Sequence, residues 1–365
     1  MHKQRHKSRT FRVRTEEQRL QDLEKIRKYR ALEDDVRAKA ASAAYTPELF
    51  QLTSKLLSIN PEYYTIWNIR RRCLLSSLLS PATSHQPPDT RDSAPDNAEQ
   101  QASSDRDVLE SELSFTIPLL MQSPKCYWIW NFRQWTLSQA ILRLPAPAAR
   151  QIWQTELGLT SKMLDKDQRN FHAWSYRRLV VGRLESPELQ GRSMAEDEFS
   201  YTTRVIHRDL SNFSAWHNRS QLMARLLEER GAGAQQRAAL LAEELHLVRE
   251  ALNVGPEDQS LWYYHRFLVA QIVDRGGVGG TFVPDLTADE KAAYLGREID
   301  EIKELLEDYD DIKWIYESLL EYTLALGRLD QGRGRAGDLR GWLAKLRVLD
   351  PMRIGRWDDI ERQVE

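Results

Sequence analysis

The stretch DQRNFHAWSYRRLVV, residues 167–181, decides the fold because its pattern recurs along the chain. Clear copies such as NPEYYTIWNIRR at 60–71 and DLSNFSAWHNRS at 209–220 align with it on a tryptophan, and two weaker copies follow near the C-terminus. Anchors that recur about every 45 residues are typical of arrays of paired helices. The seven anchors are Trp67, Trp130, Trp174, Trp216, Trp262, Trp314 and Trp357.

Each copy predicts the start of a helix. Asn60 and Asp167, seven residues before their tryptophans, are residue types that cap helix N-termini, and Pro61 stands where a first-turn proline is tolerated. An apolar segment precedes each copy, so the repeating unit is a helical hairpin. We therefore predict an all-α fold, a right-handed α/α superhelix (solenoid) of hairpins with the tryptophans in its core. Of the arginines that follow the anchors, Arg70, Arg177 and Arg219 are predicted to be struts that bond neighbouring helix ends. All five are predicted to be structural positions of the repeat: Arg70, Arg133, Arg177, Arg219 and Arg266.

The chain is predicted to consist of a basic flexible tail, 1–14, and a single helical-repeat domain, 15–365. Thr15 and Gln18 have the spacing of a capping box, which predicts that a charged helix begins there. The proline-rich polar segment 80–107 is predicted to be a disordered insertion, and 275–285 a glycine-rich loop.

Composition excludes several classes of protein. The 365 residues include two cysteines, too few for a disulfide framework, and this favours a reducing, cytoplasmic setting. No apolar run is long enough to cross a membrane, and the first fourteen residues do not form a signal peptide. A formal net charge of −2 gives no general attraction to nucleic acid.

The sequence contains no complete catalytic constellation. Zinc-ligand spacing, a phosphate-binding glycine loop and a nucleophile elbow are all missing, so no metal site is predicted in this chain. Lys125 and Tyr127 in one repeat, and Asn170 and His172 in the next, nevertheless fall at the same edge of adjacent units. Helix starts carry a partial positive charge, so these donors suit an anion such as a diphosphate. A solvated lysine and a packing histidine are the alternative interpretation.

The pattern N/D-P-x-x-Y/F-x-x-W-x-x-R resembles the repeat of the protein prenyltransferase α subunits, from about residue 45 to the end. Within that family, DQSLWYYHR at 258–266, LDPMRIGRWDDI at 349–360 and the opening MHKQR resemble the Rab geranylgeranyltransferase type. The resemblance implies an α subunit, active only with a β subunit, in the transfer of geranylgeranyl from geranylgeranyl diphosphate to C-terminal cysteines of Rab GTPases. A Rab escort protein is implied as a further partner.

The resemblance also implies roles for individual residues. Lys125, Tyr127 and His172 correspond to residues that reach the diphosphate, and Asn170 and Phe171 lie in its vicinity. Trp128 and Phe171 depart from the smaller or hydroxylated residues of relatives. Zinc is expected in the β subunit, where it would hold the substrate thiol as thiolate. His2 is a candidate ligand to that partner's zinc, because catalytic zinc keeps one exchangeable position.

Two alternatives remain open from the sequence. An α subunit shared by farnesyltransferase and type I geranylgeranyltransferase would act on isolated C-a-a-X peptides, whereas the Rab type would not. A helical-repeat scaffold that only binds partners would show no transfer at all.

Overall fold

The computed structural model describes residues 15–81, 95–273, 281–329 and 336–364. The predictions for the basic tail 1–14, including His2, fall outside these ranges. Within them the chain is helical and contains no strand. The α-helices, numbered in chain order, are α1 Glu16–Ala41, α2 Pro47–Ile59, α3 Tyr64–Cys73, α4 Pro95–Gln122, α5 Tyr127–Arg143, α6 Ala146–Lys166, α7 Phe171–Leu184, α8 Ala195–Arg208, α9 Phe213–Glu229, α10 Ala234–Val254, α11 Gln259–Val273, α12 Ala288–Asp308, α13 Lys313–Leu329, α14 Ala336–Leu349 and α15 Ile354–Val364.

Successive helices from α2 onward pack in pairs, which confirms the all-α class and the hairpin repeat. The anchor tryptophans lie on the second helix of each pair, and the amphipathic segment before them forms the first. Where one continuous domain was expected over 15–365, the helices group into two compact units, Met1–Arg192 and Ser193–Glu365. The first contains the hairpins that begin with α2, α4 and α6, and the second those that begin with α8, α10, α12 and α14.

The second helix of a hairpin begins later than predicted. Asn60 and Asp167 end the preceding helix as its C-cap, and the Asp167 carboxylate accepts the backbone N–H of Arg169 at 3.3 Å. Such a turn lets the chain reverse before a new helix starts. The N-cap of α7 is Asn170, whose side chain accepts the N–H of Ala173 at 3.2 Å. The prediction of N-caps seven residues before the tryptophan was therefore wrong.

The indole of an anchor tryptophan also binds its own turn. In five hairpins the indole N–H donates to the backbone carbonyl six residues earlier, at 2.6–3.0 Å. The tryptophans are almost fully buried, so one side chain fills the core and satisfies a carbonyl of the turn. The tryptophans that make this bond are Trp67, Trp130, Trp174, Trp216 and Trp262.

The two weaker copies differ from each other. Trp357 is fully buried, and its indole N–H donates to the carbonyl of Asp350 at 3.2 Å. Trp314, in contrast, is half-buried, and the Tyr316 hydroxyl donates to the carbonyl of Asp310, six residues earlier, at 2.9 Å. Trp314 was therefore the wrong anchor, because the tyrosine hydroxyl makes the bond that an indole makes elsewhere.

Buried arginines connect one hairpin with the next. Arg70 forms a two-pronged ion pair with Glu112 at 2.6 and 2.7 Å, and also donates to Thr53 on its own first helix. The same arrangement joins Arg133 to Glu156 and Arg219 to Glu244. Buried charges of this kind need both a partner and hydrogen bonds. Arg177 donates to Ser161 at 2.8 Å in the equivalent position.

The fifth copy replaces the arginine by a histidine. Arg266 was predicted as the structural arginine of this copy, but it lies at the surface and pairs with Glu321. His265, one residue earlier, is completely buried, with Nε2 2.9 Å from a Glu298 carboxylate oxygen and Nδ1 2.8 Å from the Tyr322 hydroxyl. The strut position is therefore three residues after the anchor in every clear copy, and the Arg266 prediction was wrong.

Part of the predicted insertion 80–107 is helical. Residues 95–107 belong to helix α4, and the carboxylate of Asp105 is buried and accepts the backbone N–H of Ser80 at 2.9 Å. Polar residues with high helix propensity extend the amphipathic helix toward its N-terminus, so the disorder predicted for this part was wrong. Residues 82–94 and 274–280 lie outside the described residues. No helix in the described ranges is long and apolar enough to cross a membrane.

Candidate functional site

The starts of α5 and α7 lie side by side in the first unit. Asn170 holds them together: its side-chain amide donates to the carbonyl of Pro124 at 3.2 Å, and its oxygen caps α7. The side chain is only 1% exposed, so its polar atoms serve the fold. Asn170 therefore lies in the predicted vicinity but acts by positioning its neighbours.

Lys125 is an accessible cation at this edge. Its side chain is 69% exposed, and the ammonium lies 3.7 Å from a carboxylate oxygen of Asp167. An exposed pair at this distance contributes little to stability, on the order of 0–1 kcal/mol. The ammonium can therefore leave Asp167 for a stronger anion at small energetic cost.

Tyr127 and His172 meet at the same edge. Their ring centroids are 6.5 Å apart, and His172 also packs against Phe171 at 4.0 Å. Tyr127 is 57% exposed, so its ring and hydroxyl are open to a ligand. Trp128 lies against both Tyr127 and Tyr64, with centroids at 5.4 and 5.2 Å. The tryptophan that departs from the family pattern thus extends an aromatic surface from α5 to α3.

Partial burial lowers the pKa of the His172 imidazole below its ordinary value, and the nearby charge of Lys125 acts in the same direction. The negative charge of Glu62 acts in the opposite direction and raises the pKa of His172. Near neutral pH the imidazole is therefore mainly uncharged. A neutral ring donates one hydrogen bond and accepts another, so His172 is suited to orient a ligand, whereas Lys125 supplies the charge.

A cleft of about 260 Å³ opens beside these residues. Sequence reasoning missed three of its polar side chains, Asn131, Gln134 and Ser175. They follow Tyr127 and His172 by one or two helical turns, so the helical period contained the signal needed to find them. The cleft combines aromatic walls with neutral hydrogen-bonding groups, which is typical of ligand sites.

The described residues include no group of three or more histidine, cysteine or acidic side chains that could hold a metal ion. The donors at the helix starts are a lysine, a hydroxyl and a neutral imidazole. Such a set fits an anion better than a divalent cation.

Comparison with known proteins places these helices in a family. A model described as "Protein prenyltransferase alpha subunit repeat" matches residues 47–77, 109–140, 153–184, 195–226 and 241–272. The five matches follow the first five hairpins. The structure of Candida albicans protein geranylgeranyltransferase-I complexed with GGPP has the same fold, with a TM-score of 0.60 and 19% identity over 93% of this chain and 91% of that one.

Relatives extend the match over nearly the whole chain. Geranylgeranyl transferase type-2 subunit alpha of Schizosaccharomyces pombe is 31% identical over 96% of both chains, and that of Dictyostelium discoideum is 31% identical over 98% of both. The Candida albicans protein of the same name is 38% identical, over 45% of this chain and 38% of its own length. The chain belongs to the protein prenyltransferase α-subunit family. The resemblance found in its repeats, including that to the type-2 member, is confirmed.

Proposed function

We propose that the chain is the α subunit of a heterodimeric type II protein geranylgeranyltransferase. The enzyme transfers geranylgeranyl from geranylgeranyl diphosphate to the C-terminal cysteines of Rab GTPases, with a Rab escort protein presenting the substrate. The names of the relatives that match over nearly their full length support this proposal. We further propose that the assembled enzyme is cytoplasmic.

The observation that carries the proposal is the meeting of Lys125, Tyr127 and His172 at two adjacent helix starts. When the bond between the prenyl carbon and oxygen breaks, negative charge grows on the departing diphosphate. Fixed donors that face this charge lower the barrier. Lys125 contributes a positive charge, the Tyr127 hydroxyl a hydrogen bond, and the N-termini of α5 and α7 their partial positive charge.

The proposal assigns the zinc ion to the β subunit. In support, the described residues include no group of three or more histidine, cysteine or acidic side chains that could hold a metal ion. The role of the α subunit is therefore to stabilise the β subunit and to supply diphosphate contacts across the subunit boundary. The metal ligands and the lipid pocket belong, in this proposal, to the partner.

Lys125→Ala tests the proposal. The variant is co-expressed with a β subunit, and transfer from labelled geranylgeranyl diphosphate to a Rab is measured in the presence of escort protein. We expect the rate to fall on the order of 100-fold, since one donor to developing charge is removed. Lys162→Ala, a lysine on α6 that lines a separate groove, should retain the rate. Unchanged transfer by an assembled Lys125→Ala heterodimer would overturn the assigned role.

The same preparation separates the alternatives. Efficient prenylation of isolated C-a-a-X peptides would indicate an α subunit of the farnesyl and type I class. If the chain forms a complex with a β subunit but no prenyl group is transferred to any of these substrates, it is a scaffold.

A further inference from the structure

A second groove in the first unit lies between the first helices of two successive hairpins. Its walls are α4 and α6, both of which pack against α5, and its volume is about 460 Å³. We call it the α4–α6 groove. Among the described residues, none that lines it also lines the cleft beside Tyr127 and His172, which opens at the starts of second helices. The proposed function therefore leaves this groove without a role.

The inner surface of the α4–α6 groove is largely apolar. Leu113 and Ile117 lie about one turn apart on α4, and Ile152 and Leu159 lie about two turns apart on α6. Ile117 remains 40% exposed. Thr155 donates its hydroxyl to the carbonyl one turn earlier on its own helix, at 3.1 Å, so it adds no unpaired hydroxyl to the wall. A ligand of this groove must therefore present apolar groups to it.

Gly158 keeps the α6 wall open. The residue lies in the middle of α6, where glycine destabilises a helix relative to alanine. No atom of a neighbouring helix in the described ranges lies within 4 Å of the position that a Cβ would take there. Packing inside the chain therefore does not require a glycine at this position. The bare backbone does allow another polypeptide to approach α6 closely.

The two ends of the α4–α6 groove differ in charge. At one end Arg106 pairs with Glu110 at 2.7 Å and donates across the groove to a glutamine of α6 at 3.2 Å. At the other end Lys162 is exposed and has no ion-pair partner among the described residues. Lys166, one turn further along α6, is also exposed and likewise pairs with no acid in the described ranges. The second end therefore attracts negative charge.

We propose that the α4–α6 groove is a docking site for an acidic amphipathic helix of a partner protein. The apolar face of this helix packs on Leu113 and Ile117 and approaches α6 closely at Gly158. Its carboxylates pair with Lys162 and Lys166. An amphipathic helix that lies in an apolar groove is a common mode of peptide recognition.

The shape of the groove favours a helix over an extended segment. Both walls are helices, which use their backbone N–H and C=O groups internally, so they cannot form a ladder with a bound strand. A bound helix satisfies its own backbone in the same way. The lining residues run from Arg106 to Ile117 on α4, about three helical turns or roughly 16 Å, which sets the length of the partner helix.

The test uses the purified full-length chain and a blocked, fluorescent, helix-forming peptide of about 14 residues, with leucine along one face and glutamate elsewhere. Binding is followed by fluorescence anisotropy. Gly158→Leu is the first variant, because it fills the groove and replaces glycine by a better helix former, so the fold should be retained. We expect affinity to fall at least tenfold. Lys162→Gln should weaken binding about threefold, the effect of one exposed ion pair.

Two matched variants serve as controls. Gly182→Leu makes the same substitution at an exposed glycine of α7 whose Cβ would also meet no atom within 4 Å. Lys55→Gln removes an exposed charge from α2. Both variants should bind the peptide as the unchanged chain does. A peptide with lysine in place of glutamate should bind the unchanged chain at least tenfold more weakly.

Equal binding by Gly158→Leu, or an equal loss in either control variant, would overturn the proposal, because the peptide would then bind outside the groove. Equal affinity for the lysine peptide, or no saturable binding of the glutamate peptide, would overturn it as well. Displacement of the peptide by an equal concentration of a long-chain fatty acid would assign the groove to a lipid instead. Displacement by a prenyltransferase β subunit would make the groove part of the subunit boundary and contradict the proposal. Circular dichroism verifies that the variants are folded.

Discussion

At the residue level, buried arginines are paired with glutamates of the following hairpin. Arg219 binds both oxygens of Glu244 at 2.6 and 2.7 Å inside the core. We expect Arg219→Met to lower the free energy of unfolding by about 3–5 kcal/mol, because it leaves a buried carboxylate without its partner. Urea denaturation measures the change.

Two variants show whether that loss arises from the unpaired charge. Arg219→Met combined with Glu244→Leu removes both charges and should recover most of the stability. Arg230→Met breaks an exposed pair with Glu196 and should cost no more than about 1 kcal/mol. A double variant as unstable as Arg219→Met alone would contradict this explanation.

The titration of His172 gives a second prediction for single residues. Lys125→Gln should raise the pKa of His172, and Glu62→Gln should lower it, because the lysine and the glutamate act on the imidazole in opposite directions. NMR of the histidine ring protons, assigned with His172→Asn, measures both shifts. Lys162→Gln serves as a control that should leave the titration unchanged.

The sign of the pH effect follows from the same shift. Since the pKa of His172 is lower in the folded chain than in the unfolded chain, protonation opposes folding. Its contribution to stability is present above the unfolded pKa and is lost as the pH falls below it. An unfolding free energy to which His172 contributes more at acidic than at neutral pH would contradict this sign.

At the level of helices, Asn170 and Asn212 are equivalent N-caps of α7 and α9. Each side chain accepts a backbone N–H three residues ahead, at 3.2 and 3.1 Å. Replacement of either by alanine should cost about 1 kcal/mol in thermal or urea unfolding. Asn170→Ala should in addition reduce prenyl transfer by the heterodimer, because its bond to Pro124 places Tyr127 beside His172.

Asn170→Asp separates the two roles. The carboxylate keeps the capping oxygen but cannot donate to the Pro124 carbonyl. We expect the helix to remain stable while transfer falls. Equal transfer by Asn170→Asp and the unchanged enzyme would show that the link to Pro124 does not position the site.

Most of the helical pattern could be predicted from the sequence, because the tryptophan period and the apolar stripes report directly on burial. The capping box of Thr15 and Gln18 predicted the start of α1 correctly. The starts of the second helices could not be predicted, since asparagine and aspartate serve both to end one helix and to begin the next. Trp314 and Arg266 were misassigned because residue type cannot reveal that Tyr316 and His265 make the equivalent buried contacts. Helix propensity outweighed polar composition at 95–107.

Part of the candidate site could be predicted from the repeat period. Lys125 and Tyr127 precede Trp130 by five and three residues, and His172 precedes Trp174 by two, so the repeat pattern predicted that they lie at the same edge of adjacent hairpins. The positioning role of Asn170 depends on a bond to a carbonyl 46 residues away in sequence, which no local pattern indicates. Asn131, Gln134 and Ser175 were missed because the search stopped at the helix starts.

At the level of the whole molecule, local packing has a consequence for stability. Each hairpin contacts mainly its neighbours, so a defect should spread over a limited distance. We expect Arg219→Met to reduce amide hydrogen-exchange protection in α9 and α10 and to leave α2 and α3 unchanged. Mass spectrometry of peptic fragments measures both regions. A uniform loss of protection in all helices would show that the chain unfolds as one cooperative body.

A buried basic residue of one hairpin pairs with a glutamate of the next hairpin at equivalent positions. One hairpin could therefore replace another without loss of this pairing. Arg219 on α9 meets Glu244 on α10, and His265 on α11 meets Glu298 on α12. Deletion of α10 and α11 as one full repeat would place Glu298 opposite Arg219, so that both charges remain paired. A deletion of any other length would leave a buried charge without its partner. Shuffled or shortened versions of this chain should therefore be joined only at equivalent turns of successive first helices.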